Sequence, residues 1–315
     1  MTTTSMTNVV SLVNNTAAEP LERAKALLES GAVTQADMAK EIGVSPTTIN
    51  QLVKGTYSAN PTAMLQKIAN WLNSRDQRSC APKDPGFVLT ETARQIAADM
   101  TYAHVTQSIA VIHGASGVGK TQALLEYQRK NNNVWLITAS PSRATMTECL
   151  YELAMELGME NAPRLRGPLA RALRRKLRNT NGLIVVDEAD HLDRPTLEEL
   201  RILQEEVGVG MVLVGNSRVY TQLTGGQRSE DFARLYSRIA KKRALTKCKK
   251  ADVMAIADAW SVTGSDERAL LLKISERPGG LRMVSKVLKL AVMYSVGEPL
   301  NEGDLRHAFK ELEGE

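Results

Sequence analysis

The sequence predicts an α/β module built on a five-stranded parallel sheet with a helical lid, preceded by a small all-α N-terminal helix-turn-helix domain. Three observations carry this. Between residues 88 and 247, short apolar runs of β type alternate with helical patterns, as the crossover units of a parallel sheet require. From 248 to 315 only helical periodicity remains, broken at Pro278-Gly279-Gly280 and at Gly297-Glu298-Pro299. Residues 20–73 read as four short helices with turn residues between them.

Strands are expected at Ser108–His113, Val134–Ala139, Leu183–Val186 and Met211–Gly215, with a weaker fifth around Arg243–Thr246. A helix is expected over Phe232–Lys242. The chain therefore divides into a helical domain (1–73), a linker (74–87), an α/β subdomain (88–247) and a helical lid (248–315). The linker is read from its polar composition and from Pro82, Pro85 and Gly86.

The totals narrow the function classes. A formal net charge of +5 is a mild basic excess that matters only where it clusters. Aromatic residues make up only 4%, which argues against a surface that stacks splayed single-stranded bases. Cys80, Cys149 and Cys248 form no CxxC pair, which points to reduced thiols rather than a disulfide framework or a zinc site. No cationic start followed by an apolar core opens the chain, and no run reaches the ~18 apolar residues of a membrane helix. A cytoplasmic protein with no membrane partner is expected.

Gly114-Ala115-Ser116-Gly117-Val118-Gly119-Lys120-Thr121 follows the first strand and opens a helix. The spacing is that of a P-loop. Its glycines let successive amides point inward at phosphates, and the helix adds its positive end. Gly114, Ser116, Gly117, Val118, Gly119, Lys120 and Thr121 are thus candidates to bind ATP. Lys120 suits the β- and γ-phosphates, and the Thr121 hydroxyl suits Mg²⁺.

The run Gly182–Glu188 puts two acids at the C-terminal end of a fully apolar strand, where ligands meet open α/β sheets. Asp187 is suited to hold the hydrated Mg²⁺ and Glu188 to polarise an attacking water. Asn216 ends the next strand, placed for the water or the γ-phosphate. Arg234 and Arg238 lie four residues apart, as neighbours on one helix face would. Either suits a role as an arginine finger across a subunit interface, and Arg238 is favoured; a solvated basic face is the competing reading. Arg282 opens a lid helix and is a candidate for phosphate contact within the same subunit. This combination resembles the AAA+ ATPases. That resemblance implies their fold, ring or filament assembly, and hydrolysis between subunits.

Residues 33–57 carry the helix-turn-helix. Met38 and Ile42 form one buried stripe, Gly43 suits a helix end, and Ser45 with Pro46 suits the next start. Ile49, Leu52 and Val53 face inward, leaving Thr47, Thr48, Asn50, Gln51 and Lys54 as candidate DNA contacts. A helical hairpin for protein contact is the alternative. It is favoured by charge, since residues 1–73 hold five Lys/Arg and five Asp/Glu.

Positive charge clusters elsewhere. Arg164, Arg166, Arg171, Arg174, Arg175, Lys176 and Arg178 fall within 15 residues without an acid, and a second acid-free cluster covers 238–250. Such density suits the phosphates of double-stranded DNA regardless of sequence. Solvated helix faces remain the alternative.

Several strings are more specific still: N-N-N-V-W at 131–135, E-C-L at 148–150, A-P-R at 162–164 and R-A-L-R-R at 171–175. D-E-A-D-H-L at 187–192, F-A-R-L-Y-S-R-I-A-K at 232–241 and A-D-V-M-A-I-A-D-A-W at 251–260 join them. Together they resemble the target-DNA-binding transposition protein B family of Mu-like phages, almost continuously over the ATPase module and lid. The N-terminal helix-turn-helix, followed by a helix with Trp71, matches more loosely. The resemblance implies ATP-dependent helical filaments on duplex DNA, delivery of target DNA to a partner transposase, stimulated strand transfer, and target immunity. A helicase loader or replication-initiation ATPase of the same fold remains open, as does an ATP-sensing transcription regulator. The Asp187-Glu188 pair counts against the regulator.

Overall fold

The computed structural model describes residues 19–57, 59, 61–79, 84–219, 237–295 and 298–314. They divide into two compact units, with the boundary between Lys83 and Asp84.

The first unit is all helical: α1 (Glu19–Glu29), α2 (Gln35–Ile42), α3 (Pro46–Val53) and α4 (Thr62–Ser79). Its middle pair starts and stops on local chemistry. The Thr34 hydroxyl accepts the Asp37 amide at the start of α2, and the Ser45 hydroxyl accepts the Thr48 amide at the start of α3. Gly43, left-handed at φ 77°, ends α2. Met38, Ile49, Leu52, Ile68, Trp71 and Leu72 form the core. The Trp71 indole donates to Glu41 at 2.8 Å, pinning α4 against α2. Helix α4 continues to Ser79, into the stretch expected to be linker. Three successive positions there, Arg75 to Gln77, carry no helix breaker, so the Pro-poor half of the stretch stays helical.

The second unit begins with α5 (Glu91–Thr106) and then alternates strand and helix: β1 (Ile109–Gly114), α6 (Lys120–Lys130), β2 (Val134–Thr138), α7 (Met146–Glu156), α8 (Arg166–Leu177), β3 (Leu183–Asp187), α9 (Arg194–Val207), β4 (Gly210–Gly215) and β5 (Ile239–Leu245). The strands form one sheet in the order β2-β3-β4-β1-β5, and every pair is parallel. β3 and β4 are buried along their whole length, which explains their unbroken apolar runs. Helices α5 and α6 cover one face, through Ile96, Met100, Leu124 and Tyr127. Helices α7, α8 and α9 cover the other, through Leu150, Leu153, Leu169, Leu173 and Leu200.

The edge strand corrects one expectation. The sequence predicts a helix over Phe232–Lys242, yet Ile239 to Lys242 belong to β5; residues 232–236, including Arg234, lie outside the described residues. The run Ile239–Leu245 alternates between half-buried and exposed positions. That alternation turns Lys241 and Arg243 toward α5, where the buried carboxylate of Asp99 accepts from both. A basic string thus becomes a strand because its charges find a partner across the sheet face, which no local pattern announces. Its exposed lysine also blunts a sheet edge.

Helices α10 (Lys250–Ala259), α11 (Ser265–Ser275), α12 (Gly280–Ser295) and α13 (Glu302–Glu313) form the lid around their own core of Val253, Leu271, Val284, Leu288 and Leu305. Asp252, fully buried in α10, accepts the Thr92 amide at 2.9 Å and the Thr92 hydroxyl. That joins the lid to the N-terminus of α5, the favourable end of a helix for a carboxylate.

Candidate nucleotide site and DNA-facing surfaces

The loop Gly114–Thr121 joins the end of β1 to the start of α6. Gly117 is left-handed at φ 80°, and a Cβ there would lie 1.9 Å from the carbonyl oxygen of Gly279, so only glycine fits. The lid touches the loop at this point: the Leu281 amide donates to the Gly117 carbonyl at 2.9 Å. Lys120 is nearly buried, and its ammonium donates to the carbonyls of Gly114 (2.9 Å) and Ala115 (2.8 Å). Burial pushes its pKa down, while the carboxylates of Glu188, Asp187 and Asp190 work the other way.

Asp187 ends β3 with its side chain buried. Its Oδ2 accepts the Thr121 hydroxyl at 2.7 Å and its Oδ1 accepts the Glu188 amide at 2.9 Å. Glu188 itself is left-handed at φ 52°, a sparsely populated conformation for a side-chain-bearing residue. A one-turn 3₁₀ helix, Ala189–His191, follows and turns the chain away.

These pieces meet in one cleft of about 700 Å³, within the range of small-molecule sites. Gly114, Ser116, Gly117, Gly119, Lys120, Thr121, Glu188, Asn216 and Arg282 all line it. The Val118 side chain does not; it packs into the core beneath α5 and α6. Asp187 stands directly behind Thr121, bonded to its hydroxyl. Arg238 lies elsewhere, in the turn before β5, exposed and bridged to Glu205 at 2.9 Å.

The apolar wall of the cleft is not marked in the sequence. Phe87 and Val88 come from the segment before α5, Ile256 and Trp260 from the end of α10, and Leu281 from α12. Asp84 and Lys289, bridged at 2.5 Å, close one side. Asp84 is held below the usual carboxylate range by that lysine and by the Gly86 amide. Phe87 sits at the boundary of a stretch whose composition reads as linker, and only the lid brings Trp260 near it. The one local signal was Thr90, a good N-cap that marks where ordered structure resumes.

On α8 the arginines separate by environment. The Arg164 guanidinium lies over the Tyr151 ring, 3.7 Å from its centroid, and Arg166 donates to the Thr147 hydroxyl at 3.0 Å. Arg166, Arg171, Lys176 and Arg178 otherwise present their side chains on the helix surface or its end, with Arg171, Arg174, Arg175 and Arg178 around one shallow depression. Arg174 differs: it bridges Glu199 at 3.2 Å and also Glu206, both on α9. In the second cluster Arg238, Lys241 and Arg243 are paired with acids and Lys249 donates to Gln95 at 2.7 Å, whereas Lys247 and Lys250 are on the surface. On α3, Thr47, Gln51 and Lys54 are exposed and Asn50 is half-buried; the Thr48 hydroxyl is 2.9 Å from that of Ser45.

Comparison with known proteins agrees with this architecture. Residues 103–223 match the family described as an AAA domain, and residues 25–75 match a helix-turn-helix family. Residues 237–312 match the family described as Mu B transposition protein, C terminal. The "ATP-dependent target DNA activator B" of Escherichia phage Mu is 50% identical over 291 residues, covering 92% of this chain and 93% of that protein. The chain belongs to the Mu B family of DNA transposition proteins. The protein of the same name from Escherichia phage D108 matches to the same extent. The "Mu-like prophage FluMu DNA transposition protein B" of Haemophilus influenzae is 43% identical over 270 residues, 84% of this chain and 94% of its own. This member of the Mu B family joins an N-terminal helix-turn-helix to an AAA module with a parallel five-stranded sheet. No helix among the described residues is long and apolar enough to cross a membrane.

Proposed function

We propose that this chain is an ATP-dependent, largely sequence-independent duplex-DNA-binding ATPase that forms helical filaments. In that form it captures target DNA for a transposase, stimulates strand transfer and takes part in target immunity. The observation that carries the reading is the convergence of Lys120, Thr121, Glu188, Asn216 and Arg282 on one cleft, in a chain half identical to proteins named as ATP-dependent target DNA activators.

The roles follow from position. The amides of Gly114–Thr121 and the Lys120 ammonium bind the phosphates, and the wall of Phe87, Val88 and Trp260 receives the base. Mg²⁺ fits the oxygen donors present, because the Thr121 hydroxyl and the Asp187 carboxylate lie 2.7 Å apart. When bound, Mg²⁺ neutralises charge developing on the phosphates. Glu188 orients and deprotonates the attacking water, with Asn216 donating to it or to the γ-phosphate. Arg282 contacts phosphate within the subunit. Arg238, or Arg234, reaches the γ-phosphate of a neighbouring subunit, so ATP acts as part of a joint between copies. For Arg238 this means leaving Glu205, an exposed pair that is easily exchanged.

Duplex DNA is held by the phosphate contacts of Arg164, Arg166, Arg171 and Arg175. Arg174 lines the same depression but is engaged with Glu199 and Glu206, so it chiefly braces that surface. Thr47, Gln51 and Lys54 on α3 offer the helix-turn-helix contacts, with Thr48 and Asn50 beside them. DNA and the transposase stimulate hydrolysis, and hydrolysis releases subunits from DNA. Electron microscopy with duplex DNA tests the reading: filaments are expected with ATP and with a non-hydrolysable analogue, and not with ADP. Equal filament formation in ADP would overturn it.

A further inference from the structure

Asp190 has no role in the reading above, yet it grips Asn216 at two points. The Asn216 backbone N–H donates to Oδ1 of Asp190 at 3.2 Å, and the Asn216 side-chain Nδ2 donates to Oδ2 at 2.6 Å. The neighbouring residue makes room for this. A Cβ on Gly215 would lie 2.4 Å from Asp190 Oδ1, so β4 must end in glycine for the carboxylate to sit there.

The grip decides which way the amide of Asn216 faces. An ionised carboxylate only accepts, so Asn216 must turn its NH₂ toward Asp190. The other end agrees, because the Asn216 Oδ1 accepts the Arg218 amide at 2.7 Å. With one N–H of Nδ2 committed to Asp190 and the oxygen turned toward the Arg218 amide, the second N–H is the donor the side chain has left for the cleft it lines. The same residue anchors the turn behind Glu188. Asp190 lies in the 3₁₀ turn Ala189–His191, which closes when the His191 amide donates to the Glu188 carbonyl at 3.0 Å. Glu188 holds its left-handed conformation at the entrance of that turn. Two strands that contribute separate groups to the cleft are thus clipped together just beyond their ends.

We infer that Asp190 is a positioning residue for ATP hydrolysis, clipping the end of β4 to the turn after β3 so that Asn216 presents an N–H donor beside Glu188. The inference rests on the hydrolytic reading of this cleft. It adds a division of labour: Lys120 and the loop bind nucleotide, whereas the Asp190–Asn216 clip sets the turnover rate without contacting nucleotide through Asp190.

The test compares Asp190→Ala, Asn216→Ala, their double variant, and the exchanged pair Asp190→Asn/Asn216→Asp in the full chain. Each single alanine variant is expected to keep its ATP dissociation constant within about twofold and to lose about 100-fold in kcat, as removal of one preorganised donor does. The double variant should be no slower than either single one, because the two residues act as a unit. The exchanged pair rebuilds the clip, since a carboxamide at position 190 can accept the backbone N–H and donate to a carboxylate at position 216. The side chain at 216 then turns a carboxylate oxygen rather than an N–H toward the cleft. The melting temperature of this variant should return to that of the parent while its kcat stays low. A purely structural role predicts that kcat recovers with the melting temperature, and that result would overturn the inference. So would additive losses in the double variant, or a kcat unchanged in Asp190→Ala. Failure of the hydrolytic reading is separately visible: the parent chain itself would then show no DNA-stimulated turnover.

Discussion

The backbone amide of Leu281 donates to the carbonyl of Gly117 at 2.9 Å, and this bond ties the first turn of a lid helix to the phosphate loop. The contact is backbone to backbone, with Gly279 and Gly280 packed against Gly117. The lid and the loop cannot approach this closely if Gly117 or Gly280 carries a bulky side chain. The loop proposed to bind nucleotide and the lid therefore share a contact, and the cleft between them is shaped by both.

Gly117→Ala should show that coupling. The new Cβ would sit 1.9 Å from the Gly279 carbonyl in a left-handed backbone, so the lid has to move away. We expect a loss of about 2 kcal/mol or more in stability and at least about a tenfold loss in ATP affinity, the equivalent of roughly 1.4 kcal/mol. Gly158→Ala is the control, because Gly158 has a similar φ of 71° and nothing within 4 Å. It should lose about 1 kcal/mol and bind ATP normally. Thermal melts and ATP titration of both variants decide the matter.

Lys120→Ala should abolish ATP-dependent DNA binding. The ammonium is the cation of the loop, and its removal leaves the phosphates facing Asp187, Glu188 and Asp190 without it. DNA retention measured across ATP concentrations would read this out, and parental retention at saturating ATP contradicts the assignment.

Glu188→Gln should separate binding from turnover. A carboxamide keeps the shape but cannot take a proton, so kcat should fall by about 10²–10⁴ while ATP binding persists. Protein–DNA complexes formed in ATP should then outlast those of the parent. Parental hydrolysis by this variant would remove Glu188 from the role of base.

The arginines of α8 should divide in solution as they do in the structure. Arg171→Glu with Arg175→Glu is expected to weaken binding evenly across DNA sequences and to reduce the slope of log affinity on log salt by about 2. Arg174→Ala should leave that slope nearly unchanged and instead lower stability by about 1 kcal/mol, the upper range for a partly exposed ion pair. Equal salt slopes in both variants would erase the distinction.

Asp99 predicts a pH dependence. Burial works to raise its pKa, but the hydrogen bonds and charges of Arg243 and Lys241 outweigh burial and hold it below the usual carboxylate range. A carboxylate whose folded pKa is depressed contributes stability above its unfolded value of about 3.9, and that contribution is lost as pH falls through the folded value. Asp99→Asn should therefore lose about 3 kcal/mol at neutral pH, as breaking a buried pair does, and should show a shallower decline in stability on acidification below about pH 4. Chemical denaturation from about pH 7 down to about pH 3, either side of the unfolded value, measures both.

The parts of the site that were legible are those made by neighbours in the chain. The loop Gly114–Thr121 is a continuous run at a strand-to-helix junction, so its spacing alone points to a candidate phosphate cradle. Asp187 and Glu188 were legible because a buried strand leaves an unbroken apolar run, and the acids mark its end. The helix-turn-helix was legible because Gly43, Ser45 and Pro46 act within one turn of themselves. β5 was misread in part, because Lys241 and Arg243 take their direction from Asp99, which lies far back on α5.

A nucleotide-binding α/β module, a helical lid and an N-terminal helix-turn-helix are each written in short-range periodicity and capping, so the order of residue types is enough to specify them. Packing between distant segments sets what closes the cleft and what the charges do. Phe87 and Trp260 share one cleft only because the lid folds back over α5, and Asp190 reaches Asn216 only because β3 and β4 are adjacent in the sheet. Arg174, a candidate DNA contact, also braces α8 because α9 presents Glu199 and Glu206 beside it. A side chain's type is local, but its partner is chosen by packing, and function here depends on the partners.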